Sequence, residues 1–157
     1  MSIDLCCMPD PQIPPSRRIS PALAAGIDEA MIQRLVHAFY AKVRQDEVLG
    51  PIFSSHVGDW DEHLARLCDF WSSVMLMSGR FKGQPMAMHA QIPDIAPAHF
   101  TRWLQLFDET AGEVCPPEAA ALFRVKAAMI GESLQLGLAF SRGDAPPSRA
   151  RTLRMPT

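Results

Sequence analysis

Few side chains in this chain could carry chemistry: five histidines, three tryptophans, one tyrosine and four cysteines among 157 residues. No phosphate-cradling glycine loop, strained nucleophile turn or paired-carboxylate site accompanies them. Cys6 and Cys7 are adjacent, Cys68 and Cys115 stand alone, and none forms a CxxC pair, so neither structural zinc nor a disulfide framework is expected. His37 and His56 show no partner pattern and read as surface residues, and His99, near the start of a helix, has no assignable role. His89 is different. It falls on a short helical stretch between Gly83 and Pro93, with Met86 and Met88 before it and Ile92 after it. A lone histidine cannot hold zinc, which needs several protein ligands. It can hold a metal whose other ligands are already supplied, and haem iron is such a case. An ordinary core or surface histidine is the competing reading. An axial histidine must be neutral, with its second ring nitrogen donating to a carbonyl or similar acceptor.

Three more residues bear on that choice. Tyr40 and Trp103 lie on the apolar faces of two predicted helices, and His63 lies one turn after Trp60 and one turn before Leu67. Each has an apolar body and a polar tip, and a buried tip needs a partner. Each alone is most simply a satisfied core residue. Together, on separate core-facing helices, they could converge on one polar object in an apolar pocket. O₂ on ferrous haem is such an object, because its partial negative charge favours O–H and N–H donors.

The elements that must position these residues are helical. Ile32, Leu35, Val36, Phe39, Tyr40 and Val43 recur at helical spacing and predict a helix over about 28–46, stopped by Gly50-Pro51. Asp59, with Glu62 three residues on, predicts the N-cap of a second helix carrying Trp60, Leu64, Leu67, Trp71, Val74 and Met75. Gly79 and Gly83 break it, and a short helix is expected over 85–91. Pro97 opens a helix with Phe100, Trp103, Leu104 and Phe107 in register. Pro116-Pro117 opens the last, with Leu122, Val125, Met129, Leu134 and Leu138 as its apolar residues. No segment alternates with period two, so the expected class is all-α, with four substantial helices.

Composition sets the outer limits. Apolar residues make up 48% and charged residues 20%, which excludes a wholly disordered chain. The net charge of −2 carries no electrostatic footprint for nucleic acid. No run approaches the roughly 18 apolar residues of a membrane span. Prolines at 9, 11, 14, 15 and 21 predict an extended arm over 1–25, and residues 141–157, with Arg142, Arg149, Arg151 and Arg154 against Asp144, read as a flexible, solubilising basic tail. Residues 26–140 hold nine basic and fourteen acidic side chains, a net of −5. A basic start and a longer apolar run would mark a secretory signal; with neither, the expected setting is cytoplasmic and reducing.

The string FYAKVRQDEVLGPIF at 39–53, then WDEHLARLCDFW at 60–71, GRFKGQPMAMH at 79–89 and HFTRWLQLF at 99–107, resembles the third group of the truncated haemoglobins. The likeness runs from about residue 27 to 140. It implies a globin-like two-over-two helical sandwich around b-type haem. By position His89 matches the family's proximal iron ligand, and Tyr40, His63 and Trp103 its distal ligand-binding residues. Phe53 matches the phenylalanine stacked on the porphyrin, and Phe70 and Trp71 an aromatic pair on the distal helix. Leu67, Met88, Ile92 and Phe100 complete the expected haem pocket. Arg66, Arg80 and Lys82 are propionate candidates by charge and location. The glycine-pair motifs of the other truncated groups are absent, and the short stretch between Phe53 and Trp60 implies an abrupt start to the distal helix.

Three functions follow as expectations. The first is a haem protein binding O₂, CO or NO at a pentacoordinate iron. Each hydrogen bond to a charged acceptor is worth about 1.5–3 kcal/mol, so two distal donors would hold the ligand tightly and suit chemistry or sensing better than delivery. The second is a peroxidase-like or nitric-oxide-dioxygenase enzyme on the same site, using a separate reductase as electron donor. The third is a haem-free helical interaction module, supported only by the proline arm and basic tail.

Overall fold

The computed structural model describes residues 20–144. Most of the expected arm and tail, with Cys6 and Cys7, lies outside them. Among the described residues there are seven helices: α1 (Pro21–Ala24), α2 (Glu29–Gln45), α3 (Leu49–His56), α4 (Trp60–Leu76), α5 (Pro85–Ala90), α6 (Pro97–Val114) and α7 (Pro117–Arg142). None is long and apolar enough to cross a membrane. α2 packs with α4, α6 packs with α7, and α2 crosses onto α6. This is the two-over-two helical sandwich of a shortened globin.

Local chemistry explains where each long helix begins. The Asp28 carboxylate accepts the Met31 N–H at 2.8 Å and starts α2. Asp59 accepts the N–H groups of Asp61 and Glu62 at 3.0 and 3.2 Å and starts α4. Pro97 and Pro117 open α6 and α7, where a missing N–H costs nothing. The buried face of α2 (Ile32, Leu35, Val36, Phe39, Tyr40 and Val43) meets Trp71 and Met75 of α4 and Phe107 and Ala111 of α6 in one core. Trp71 and Phe107 stack there with ring centroids 5.1 Å apart.

Three details differ from the sequence expectations. Gly50-Pro51 does not end helical structure: α2 ends at Gln45, and both residues lie in the first turn of α3. Proline is tolerated there because the first N–H groups of a helix have no intrahelical partner. Asp46 supplies the cap that the motif conceals, accepting the Val48 and Leu49 N–H groups at 3.1 and 3.0 Å. Second, the inner face of α7 is built from small residues (Ala119, Ala120, Ala127 and Gly131) around Phe123 and Leu138. Val125 and Met129, two of its large apolar residues, are 57% and 55% exposed. Third, the ends are more ordered than expected. α1 lies inside the expected arm with Ala22 buried, and α7 runs two residues into the expected tail before Gly143 closes it at φ +73°.

Asp46 joins more than two helices. Its Oδ1 receives the Arg102 guanidinium of α6 at 2.7 and 2.9 Å while Oδ2 caps α3. The guanidinium foremost, with the backbone N–H groups, holds this carboxyl below the usual carboxylate range. A carboxyl whose native pKa is depressed stabilises the fold above its unfolded pKa, and that contribution is lost as pH falls toward the native value. Asp46→Asn is therefore expected to lower the thermal midpoint by several degrees at pH 7 and to flatten the acid limb of a stability–pH curve below about pH 4. Melting followed by circular dichroism between pH 3 and 7 checks both.

Candidate functional site

Between the two helix pairs lies a cavity that is partly open to solvent. Its walls come from α2, α3, α4, α5, α6 and α7 together with the 77–84 connection, and they are mainly aliphatic and aromatic.

His89 lines this cavity from α5. Its Nδ1 lies 2.6 Å from the Pro85 carbonyl oxygen, so Nδ1–H donates, and in the neutral ring the lone pair then lies on Nε2. This is the orientation of a metal-ligating imidazole. α5 has six residues, no side-chain cap and no buried residue, so it cannot hold that ring by itself. α7 holds it. Met86 seats over Gly137, where any Cβ would collide with the thioether. Arg142 donates to the carbonyls of Ile95 and Ile92 at 2.7 and 3.1 Å, fixing the chain that leaves α5. On the other side, Arg80 pairs with Glu29 at 2.7 Å and Asp69 at 3.2 Å. Ser73 Oγ accepts the Phe81 N–H at 3.0 Å, which sets the Phe81 ring edge-on to Phe70 at the cavity wall.

Tyr40, His63 and Trp103 meet in the same cavity from α2, α4 and α6. Despite the short 57–59 link, His63 faces inward, its ring 6.0 Å from Tyr40 and 5.6 Å from Trp60. Trp103 is stacked on Phe107, 5.5 Å away, which fixes its indole plane. Burial pushes the Tyr40 phenol up to about 12, partly offset by the Trp103 side chain. An indole N–H only donates, so Trp103 serves the phenol oxygen and Tyr40 keeps its own O–H to give. Burial, then the positive charge of Arg66, lowers the His63 pKa and favours the neutral ring. The cavity thus offers one imidazole on α5 with Nε2 free of hydrogen bonds among the described residues, and a group of hydrogen-bond donors carried by other helices.

Phe53, Leu67, Phe70, Trp71, Met88 and Phe100 also line it, and so does Arg66. Three expected pocket residues lie elsewhere. Ile92 packs with Ile95, Phe100 and Leu138 beside the cavity. Arg80 is engaged by Glu29 and Asp69, and Lys82 is exposed outside the lining. Sequence reasoning missed Leu49, Ile52, Phe81, Pro85, Ile95, Ile130, Gly131 and Leu134, and gave no role to His99. Leu49 and Ile52 were concealed by the Gly-Pro reading of α3. The others sit where only the packing of α7 and the 77–84 connection brings them inward.

Among the described residues no group of three or more His, Cys, Asp or Glu could hold a metal ion. A metal at His89 would bring its other ligands with it, as haem does. Mainly apolar walls and an imidazole anchored through its second nitrogen both fit that group. The model of the bacterial-like globin family matches residues 24–121. The chain is 35% identical over 113 residues to the group 3 truncated hemoglobin ctb of Campylobacter jejuni subsp. jejuni, covering 69% of this chain and 89% of that protein. The crystal structure of the group III truncated hemoglobin from Campylobacter jejuni superposes with a TM-score of 0.66, covering 69% of this chain and 88% of that one.

Tyr40 is the only tyrosine, so its ionisation can be read directly. Absorbance near 295 nm is expected to stay flat through pH 10 and to rise with a midpoint of about 12. The unfolded phenol ionises near pH 10, so stability falls as pH climbs from that value toward the native one. A midpoint near 10 with the fold intact would show an exposed phenol.

Proposed function

The chain belongs to the bacterial-like globin family, in the third group of truncated haemoglobins, and from that premise we propose that it is a haem protein for O₂ and related small ligands. The observation that carries this is the His89 ring, anchored through Nδ1 to the Pro85 carbonyl with Nε2 free at an apolar cavity. Bound there, haem supplies an iron that takes O₂, CO or NO and can change its oxidation state. The protein's part is orientation and polarity. His89 would hold the iron from one side, with its tautomer set by the backbone. Tyr40, His63 and Trp103 would act on the ligand side, Tyr40 giving its O–H and Trp103 supporting the phenol oxygen. Phe53, Leu67, Phe70 and Met88 would exclude water around the ring system. Neither Cys68 nor Cys115 lines the cavity, in keeping with haem held without a covalent thioether link, as b-type haem is.

The deciding experiment is the visible spectrum of the reduced protein, alone and under CO and O₂, beside His89→Ala. A Soret band that shifts with each gas, and is lost or displaced in the variant, is expected. No band after reconstitution with haemin overturns the proposal. In the loaded protein, Tyr40→Phe and Trp103→Phe are each expected to raise the O₂ dissociation rate about tenfold or more, because each disturbs a hydrogen bond toward a partly charged acceptor. Stopped-flow displacement of O₂ by CO measures both, and unchanged rates would remove these residues from the ligand side.

A further inference from the structure

The polar side chains of the cavity divide into those used above and two others, Arg66 on α4 and His99 on α6. Of the three cations expected to meet the carboxylates of the ring system, only Arg66 reaches the lining; Arg80 and Lys82 do not. His99 is half-buried and immediately precedes Phe100, whose ring lies 6.5 Å from that of His89. Its Nδ1 accepts the Ala96 N–H at 2.9 Å. A neutral imidazole that accepts at Nδ1 carries its proton at Nε2. The start of α6 therefore fixes both the tautomer and the ring: flipping it would break the bond to Ala96. Among the described residues no hydrogen bond engages Nε2, so a fixed N–H donor is presented beside an otherwise apolar wall.

A planar apolar group with ionised carboxylates enters such a cavity at low cost only where those carboxylates keep water or meet donors. We infer that His99 is a carboxylate-binding residue of this site, its Nε2–H donating to a propionate of the haem while Arg66 supplies positive charge at the same cavity. The inference rests on the haem reading and adds to it a residue and a chemical class of contact.

Haem and its dimethyl ester, in which both carboxylates are blocked, separate this role from the structural one. Each is loaded into the full chain and into His99→Phe, and its transfer to excess apomyoglobin is followed at the Soret band. His99→Phe is expected to speed the loss of haem about tenfold while changing the loss of the diester by less than about twofold. The bond to Ala96 is lost in the variant whichever group is bound, so a purely structural role speeds both losses equally. That result, or no change in either loss, overturns the inference and leaves the haem reading standing. A chain that takes up neither compound overturns both.

Discussion

A six-residue helix with no buried side chain has to hold His89 against the cavity, and much of the structure answers that demand. A helix this short has too few internal hydrogen bonds to persist in water. Its carbonyl at Pro85 orients the ring, but the helix itself is located by contacts from far away in the chain. Gly137 leaves room for Met86, and Arg142 holds the carbonyls of Ile92 and Ile95, so both anchors come from the C-terminal half of α7. On the approach side, Glu29 at the start of α2 accepts Ser72 at 2.6 Å and Arg80 at 2.7 Å, tying α2, α4 and the 77–84 connection together. The imidazole is therefore placed by tertiary structure rather than by its own helix.

The opposite wall solves a different problem. A phenol as deeply buried as Tyr40 must have its oxygen served, yet a donor group is useful to a ligand only if its proton is free. Pairing it with an indole meets both needs, because the indole can give a hydrogen bond and cannot receive one. The indole is then fixed by stacking on Phe107, which stacks in turn on Trp71 in the main core. Edge-to-face contacts of Tyr40 with Phe39 and Phe53, 4.7 and 5.7 Å between centroids, fix the phenol. Rigid rings locate the donors, so their geometry does not depend on a flexible loop.

The long helices were legible in the sequence because apolar spacing, the N-cap at Asp59, and prolines at 97 and 117 all point the same way. α3 was not legible: its Gly-Pro pair mimics a stop, and its cap, Asp46, also belongs to the turn that ends α2 and to an ion pair with α6. The inner face of α7 was not legible from its large apolar residues, since Val125 and Met129 are exposed. Where two helices approach closely, alanine and glycine make the contact. His89, Tyr40, His63 and Trp103 stood out by type and spacing as well as by family likeness, and all four line one cavity. His99 and Arg142 did not stand out, because their partners are backbone groups (Ala96, Ile92 and Ile95) that only the fold identifies.

The cavity also accounts for the division of the core. Apolar side chains form two clusters, a large one centred on α2, α4, α6 and the first half of α7, and a small one of Ile95, Phe100 and Leu138 flanked by Ile52, Ile92 and Leu134. The cavity lies between them, with Phe53, Leu67, Phe70 and Trp71 on its wall from the first and Ile52, Ile95, Phe100 and Leu134 from the second. A flat apolar group placed there would touch both and join them into one core. Whatever binds the folded chain and not the unfolded one stabilises the fold by mass action. Haem bound there would then stabilise the α5–α6 region together with the anchors that α7 supplies through Gly137 and Arg142.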